Sequence, residues 1–382
     1  MSARRLNVLL FWPHDDWDVY HRAYQRMAEE LRRRDDIRRV VVVFPPAVPA
    51  RLPAPPLQVR RVARGLLLVR EYSPVVAPDR PSHRVRGWIN RAARGALPLF
   101  LRGLGFSRDN TVLWLFPPHP YLEELLARIP HRFALAQVQD DFSEFDPEHW
   151  LYAHALAQYP RIPSLVDLVF VASDHNEEKF AGRGAPCERI ELGVGREFLG
   201  TPSAPRWRGE RRPPRLGYSG WIMPRTDLDL LDHLASCRPD WSLVLVGPQY
   251  RDTLDRSGLR KRANVTYLGE VPYEDLPGLM QSFDVCLIPH RDMPYTRSMS
   301  PLKLYQYLAS GRPIVATDIP GLERVREHLE VAATYDGFVE AVERVLDTDT
   351  AERSRGRLAA AARATWDARV DEMLTILRRH LR

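Results

Sequence analysis

Asn264–Pro320 reads NVTYLGEVPYEDLPGLMQSFDVCLIPHRDMPYTRSMSPLKLYQYLASGRPIVATDIP, and its alternation of short apolar runs with helical patterns decides the fold. A strand over Val265–Leu268 ends at a Gly269 turn, a helix follows through Leu276–Gln281, and Val285–Ile288 reads as a buried strand. That strand empties into the polar loop Pro289–Ser300, a helix returns over Leu302–Ser310, and Ile314–Ala316 is a further strand. Strand, helix, strand with short connections is the rhythm of a parallel sheet covered by helices. Ligands of such open sheets sit beyond the carboxyl ends of the strands, so a site is expected at Pro289–Ser300.

The same rhythm runs outward in both directions. Arg215–Ser219, Ser242–Val246 and the helix Leu228–Ala235 precede the window. In the first half, RLNVLLFW (Arg5–Trp12), a helical pattern over Tyr20–Arg33 and the run Val40–Phe44 form one unit. Strands at Thr111–Phe116, Phe133–Val138 and Leu165–Ala172 come next, with a helix over Tyr121–Arg128. The proline-rich stretch Pro45–Pro56 interrupts this pattern. FLGTPSAPRWRGERRPPR (Phe198–Arg215) has the composition of a linker. The expected class is therefore α/β, with two doubly wound domains: residues 1–199, a linker over 200–214, and residues 215–348. The tail 349–382, with Leu358, Trp366, Val370, Met373, Leu374 and Leu377 at helical spacing, is a long helix or helix pair.

Composition narrows the function classes. A chain of 382 residues, 45% hydrophobic and 27% charged, is a globular protein with room for two cores, which excludes a peptide hormone or a disordered chain. Cys187, Cys237 and Cys286 lie far apart without C-x-x-C spacing, so neither a zinc knot nor a disulfide framework is available, and a reducing cytoplasm is the expected location. Val8–Trp12 is too short for a signal-peptide core, and nowhere do 18 apolar residues run together. All but three of the 55 basic residues are arginine. The net charge of +6 is concentrated in Arg51–Arg108, where twelve arginines face only Glu71 and Asp79. Such a segment favours anionic partners.

The common nucleotide and hydrolase signatures are absent: no G-x-G-x-x-G follows a strand, and there is no G-x-x-x-x-G-K-[ST], H-E-x-x-H or G-x-S-x-G. The start of the helix at Leu302 is more informative. Ser300 can cap it, Pro301 suits its first position, and its free N–H groups attract phosphate. Lys303 adds a cation in that first turn, which opposes the helix dipole unless an anion is bound. A diphosphate would resolve the conflict; a solvated lysine on an ordinary helix start is the alternative.

This window, with GYSGWIMPRTDLDLL (Gly217–Leu231), LVLVGP (Leu243–Pro248) and ATWDARVDEML (Ala364–Leu374), resembles the nucleotide-sugar domain of GT-B glycosyltransferases, most of all the family-four type of bacterial polysaccharide assembly. WDVYHR (Trp17–Arg22), QVQDDFSEF (Gln137–Phe145), VDLVFVAS (Val166–Ser173) and ELGVGREF (Glu191–Phe198) fall in the family's order, more loosely. The resemblance implies a nucleoside-diphosphate sugar on the C-terminal domain, an acceptor mainly on the N-terminal domain, transfer in the cleft between two Rossmann-like domains, and a tail packing back toward the first. It places Gly220, Trp221, Arg225 and Gly247 near the diphosphate and Pro272 near the base. Met299, Ser300, Pro301, Leu302 and Lys303 fall near phosphate or donor sugar, and Gln306 near the ribose. Arg225 and Lys303 are the expected catalytic cations.

The chain departs from the family at two places. Ser298 and Gln306 stand where the family has two glutamates eight positions apart, and Leu192-Gly193-Val194-Gly195 replaces an N-G-V-D-like turn. Glutamine still bonds a ribose hydroxyl, whereas serine is short for a distant sugar hydroxyl.

Candidates in the first half carry open alternatives. His119, after the strand Thr111–Phe116, is a catalytic and acceptor-site candidate or a surface-loop histidine. Asp140 and Asp141 bind sugar hydroxyls or supply a base, unless one is a helix cap. Asp15, Asp16, Trp17 and Arg22 flank the turn after the first strand and are assigned to the acceptor. The Asp-x-Asp pairs Asp16/Asp18, Asp227/Asp229 and Asp347/Asp349 are what 49 acidic residues produce by chance, and no metal or other cofactor is expected.

Arg86–Arg108, with Trp88, Ile89, Leu97, Leu99, Phe100, Leu101 and Phe106 among five arginines, reads either as an interfacial helix on anionic lipid or as a core helix with a basic outer face. The expected activity is metal-independent, retaining transfer of a hexosyl group to a saccharide, lipid-linked or small-molecule acceptor, without nucleic acid. The rivals are a nucleotide-sugar-binding pseudoenzyme or assembly subunit and a nucleotide-sugar 2-epimerase.

Overall fold

The computed structural model describes residues 5–12, 17, 23–47, 55–72, 95–119, 121–200 and 212–381. The chain forms two compact units. Residues 1–172, 176–190 and 373–382 make the first, and residues 173–175 and 191–372 the second.

The first unit is built on an eight-stranded sheet. Its strands are β1 (Leu6–Phe11), β2 (Ile37–Ala47), β3 (Leu57–Ala63), β4 (Leu66–Tyr72), β5 (Thr111–Leu115), β6 (Phe133–Val138), β7 (Leu168–Val171) and β8 (Cys187–Arg189). The order is β3-β4-β2-β1-β5-β6-β7-β8, parallel throughout except for the β3–β4 pair. Every residue of β1, β5, β6 and β7 is buried, which is why these strands read as continuous apolar runs rather than alternating ones. The helix Ala23–Leu31 lies within the longer pattern expected over Tyr20–Arg33, of which Tyr20–Arg22 lie outside the described residues.

The hairpin β3–β4 is not legible in the sequence pattern. The prolines suggest an end to regular structure at Pro45, yet β2 continues to Ala47 and LQVRRVA pairs back onto LLLVREY. Most of β3 is exposed, so no burial pattern marks it, and Arg60 and Arg61 line an edge that charged side chains protect from further pairing. The described part of the basic segment is the helix Ala96–Gly103. It buries Leu97 and Leu101 against Leu9, Val41, Leu113 and Leu125, leaving Leu99 outward at 71% exposure. The described helix packs one face into the core and carries Leu99 and Arg102 on the other; Arg86–Arg94 lie outside the described residues.

The second unit is a six-stranded parallel sheet: β9 (Arg215–Ser219), β10 (Ser242–Val246), β11 (Val265–Tyr267), β12 (Val285–Ile288), β13 (Ile314–Thr317) and β14 (Glu330–Ala332), in the order β11-β10-β9-β12-β13-β14. The chain winds outward from β9 one way and from β12 the other, so the β9/β12 junction is the switch point at which α/β sheets bind ligands. In the first unit the corresponding junction is β1/β5. Gly217 lets the Phe283 ring lie against β9: a Cβ there would sit 2.1 Å from the ring.

Helices α1 (Leu228–Cys237) and α2 (Tyr335–Thr348) cover one face of this sheet through Leu230, Leu231, Leu234, Phe338, Val342 and Val345. The helix α3 (Leu302–Ser310) packs on the other through Leu304, Tyr307 and Leu308. The tail is the helix pair α4 (Ala351–Arg363) and α5 (Trp366–His380). Ala360 and Ala361 of α4 join the core that contains Leu304 and Leu308. Arg357 is buried, and its Nε and Nη2 donate to Gly311 O (3.1 and 2.9 Å) while Nη2 also reaches both Asp349 oxygens (2.9 and 2.8 Å). No helix among the described residues is long and apolar enough to cross a membrane.

Removing one partner of a buried ion pair leaves the other charge unpaired, so Arg357→Met is expected to cost about 3–5 kcal/mol of unfolding free energy. Urea denaturation of the two proteins measures it, and a loss well under 1 kcal/mol would show that the tail is not held this way.

Candidate functional site

At the carboxyl ends of β9, β10 and β12 the backbone comes close to itself, and glycine permits it. Gly220 has φ +138° and Gly247 φ +118°. A Cβ on Gly247 would lie 2.4 Å from Gly220 O, and one on Gly220 would lie 2.9 Å from Lys303 Cε and 3.0 Å from its Nζ. Neither position accepts another residue without displacing backbone or lysine.

Lys303, the second residue of α3, is only 7% exposed. Its Nζ donates to Tyr218 Oη (2.8 Å) and is hydrogen-bonded to His290 Nε2 (3.0 Å), above the face of the Tyr218 ring. Tyr218 Oη also donates to Trp221 O (2.9 Å) and lies 3.0 Å from Thr226 Oγ1. With Nε2 accepting from an ammonium, the His290 proton belongs on Nδ1, which is buried without a partner. Arg225 places its guanidinium over the Tyr295 ring, 5.4 Å from the centroid, and its buried Nε has no partner either.

The electrostatics are one-sided. Burial first, then the Arg225 charge, hold the Lys303 ammonium well below the usual lysine range. Burial, then Lys303 and Arg225, keep His290 well below the usual histidine range. Among the described residues neither cation has a carboxylate partner. The nearest acid in sequence, Asp227, is spent elsewhere: it caps α1 at Leu230 N (3.1 Å) and accepts from Tyr335 Oη (3.0 Å) and Arg291 (3.3 Å). Two cations and a helix start without an acid have the electrostatics that suit an anion.

The cap of α3 differs from the expected one. Pro301, not Ser300, is the N-cap residue, at φ −72° and ψ 102°, and no side chain caps the helix. Ser300 Oγ instead accepts from Leu192 N (3.4 Å). The first-turn amides are thus left without the serine the sequence offers. Met299 and Pro301 are buried, Leu302 half-buried, and Gln306 buried one turn on from Lys303. Ser298 is fully buried and donates to Tyr295 O (2.9 Å), closing the short helix Pro294–Arg297. Trp221 is exposed, and Pro272 lies on the exposed loop after Gly269, whose carbonyl accepts from Gly247 N (2.7 Å).

The structure thus gathers Gly220, Arg225, Gly247 and Lys303. It adds Tyr218, Thr226 and His290, which no sequence motif singles out. His290 stands in the very loop where a site is expected, two residues past a strand end, and that position is the available signal.

In the first unit the candidates are more dispersed. His119 is buried after β5, with its Nδ1 accepting from Tyr121 N (3.2 Å) and its buried Nε2 unpartnered. Burial, with a contribution from His154, lowers it to about 3, so it is a neutral histidine and not a surface one. Asp141 is fully buried as a cap, accepting from Ser143 N (2.9 Å) and Oγ (2.5 Å) and pairing with Lys179. Asp140 is half-buried, and its carbonyl accepts from Tyr159 Oη (3.2 Å). Trp17 is buried against Trp12 at 5.5 Å, and Trp12 in turn meets the Tyr24 and Phe116 rings edge-on. Asp15, Asp16 and Arg22 lie outside the described residues.

The model of the glycosyl transferases group 1 family matches residues 214–348, the stretch that holds this site. The putative teichuronic acid biosynthesis glycosyltransferase TuaH of Bacillus subtilis is 31% identical over 137 residues, and that match spans about a third of each chain, 34%. Solved structures match nearly end to end. Sucrose-phosphate synthase from Thermosynechococcus elongatus superposes with a TM-score of 0.71 at 16% identity over 98% of this chain and 99% of that one. The E. coli trehalose-6-phosphate protein bound with UDP-2-fluoro glucose gives 0.68 at 13% over 97% and 98%. Anabaena HepE with UDP and glucose gives 0.65 at 14% over 98% and 99%. The chain has the GT-B fold. Its second unit contains the stretch that the group 1 glycosyltransferase family model matches.

A buried lysine held below its usual range destabilises the ligand-free protein at neutral pH, because the unfolded chain binds the proton better. The deficit is full below the lowered value and fades as pH rises toward the ordinary lysine value. Lys303→Met is therefore expected to melt no lower than the wild type at pH 7 without ligand, with any advantage shrinking toward about pH 9.5. Melting curves across that range check it, and a constant difference would place the deficit elsewhere.

Proposed function

We propose that this chain is a glycosyltransferase that takes a nucleoside-diphosphate sugar, foremost a UDP-sugar, and transfers its sugar to a saccharide acceptor. The observation that carries the reading is that a buried Lys303 and a half-buried Arg225 stand together at the β9/β12 switch point, without a carboxylate partner among the described residues. The family match of the same stretch supports it, as do two structural neighbours solved with UDP or a UDP-sugar analogue.

Glycosyl transfer breaks the bond from the sugar's anomeric carbon to the β-phosphate oxygen and forms one to an acceptor hydroxyl. Negative charge grows on the diphosphate, and positive charge on the sugar ring. Lys303, Arg225 and the uncapped amides of α3 stabilise the first; fixed donors of this kind supply about 3–4 kcal/mol each where measured. Their charge can balance the diphosphate without a divalent metal. In a retaining course the departing phosphate oxygen accepts the acceptor's proton, and no protein nucleophile is required. His119, neutral and with a free Nε2 donor, suits an acceptor hydroxyl on the first unit.

Nucleotide release from a panel of UDP-sugars in EDTA, with and without a saccharide mixture, tests the reading. Lys303→Ala is expected to lower release by about two orders of magnitude or more, on the scale of losing one transition-state donor. Binding of UDP with no release from any donor would identify a sugar-nucleotide binder instead. Absence of binding to every nucleoside diphosphate would overturn the donor site itself.

A further inference from the structure

Among the described residues Lys303 is held by uncharged acceptors alone, and the role this gives to its neighbours rests on the donor site proposed for this domain. An ammonium carries three N–H bonds. Two go to Tyr218 Oη and His290 Nε2. A carboxylate in place of either acceptor would relieve the buried charge more completely. It would also consume the charge an anion needs.

Both acceptors are themselves fixed. Tyr218 Oη is tied to Trp221 O and Thr226 Oγ1. His290 is clamped by Thr317, whose Oγ1 accepts from His290 N (3.0 Å) and donates to His290 O (2.6 Å), and its ring meets the Tyr218 ring edge-on at 6.3 Å. The imidazole is 1% exposed, and the charged groups facing it are Lys303 and Arg225, both cations. Each opposes its protonation, so it remains an acceptor.

We infer that His290 is a positioning residue of the anion site: its neutral Nε2 fixes the Lys303 ammonium beside Gly220 and leaves the third N–H and the full positive charge to the ligand. The lysine is then neither loose nor neutralised. Glycine at 220 is part of the same device, since a side chain there would occupy the space beside Nζ.

Calorimetric titration with UDP of the full-length protein and three variants tests this. His290→Gln places an amide oxygen near the Nε2 position and is expected to bind within about threefold of wild type. His290→Phe keeps the ring without the acceptor and is expected to bind about tenfold or more weakly, the scale of a lost hydrogen bond to a charged group. His290→Glu supplies a carboxylate that consumes the charge, and a loss of about thirtyfold or more is expected. In the ligand-free state the order reverses, with His290→Glu melting above His290→Gln because the ammonium gains an ion partner.

A purely structural role would lower melting temperatures without ordering the affinities this way. Wild-type affinity in His290→Phe or His290→Glu overturns the inference, as does His290→Gln binding as poorly as His290→Phe. Should the wild type itself not bind UDP, the donor reading fails. The ligand-free comparison still decides the position of the ammonium: equal melting of the Glu and Gln variants overturns it.

Discussion

One buried ammonium organises the second domain. Lys303 lies under the carboxyl ends of three strands, and its uncompensated charge requires that each neighbour be of a certain kind. Tyr218 must offer an oxygen from inside β9, β12 must end so that His290 turns inward, and β9 must continue through a residue without a side chain. A desolvated charge without a counter-ion is among the costliest features a fold can carry. A bound anion of the kind proposed would supply the missing partner, so the constraint and the proposed binding chemistry have the same origin.

The scaffold makes that arrangement local. The switch between the β9-β10-β11 and β12-β13-β14 halves opens a crevice at the junction, and α3 starts there because the connection after β12 must return across the sheet. Pro301 at the N-cap leaves the first turn without a side-chain acceptor, so the positive end of the helix and the lysine reinforce each other. At the far end of the same helix Gly311 turns the chain in a left-handed conformation, and its carbonyl accepts from Arg357. The helix that bears Lys303 is therefore held at its far end by specific contacts and left open at the end that carries the lysine.

Much of this is legible in the amino-acid order. The parallel strands of both units, buried on two faces, announce themselves as Val/Leu/Ile runs, and Val285–Ile288 and Ser242–Val246 coincide with the observed elements. The polar loop after β12 is marked as a place for chemistry by topology alone. The hairpin β3–β4 escapes because its edge strand is exposed and carries no periodic signal. Tyr218 and His290 escape for a different reason: their importance lies in one atom each, brought to Lys303 from 85 and 13 residues away in the chain. Spacing cannot show that. A Ser300 cap is a sound local inference overridden by tertiary structure, which turns the hydroxyl to Leu192 N.

Ser298 and Gln306 complete the electrostatic argument. Glutamates at these positions would place two negative charges on or beside the helix that carries Lys303. Here the one is a fully buried serine bonded to Tyr295 O, and the other a buried neutral amide one turn along α3. The site is accordingly more positive than the family pattern would make it. An anionic ligand is drawn by the cations without an opposing term, while discrimination among sugars must come from uncharged hydrogen bonds and shape. On the proposed function, affinity for phosphate and selectivity for the sugar would fall to different groups: the first to Lys303 and Arg225, the second to neutral side chains whose contribution to any one hydroxyl is modest.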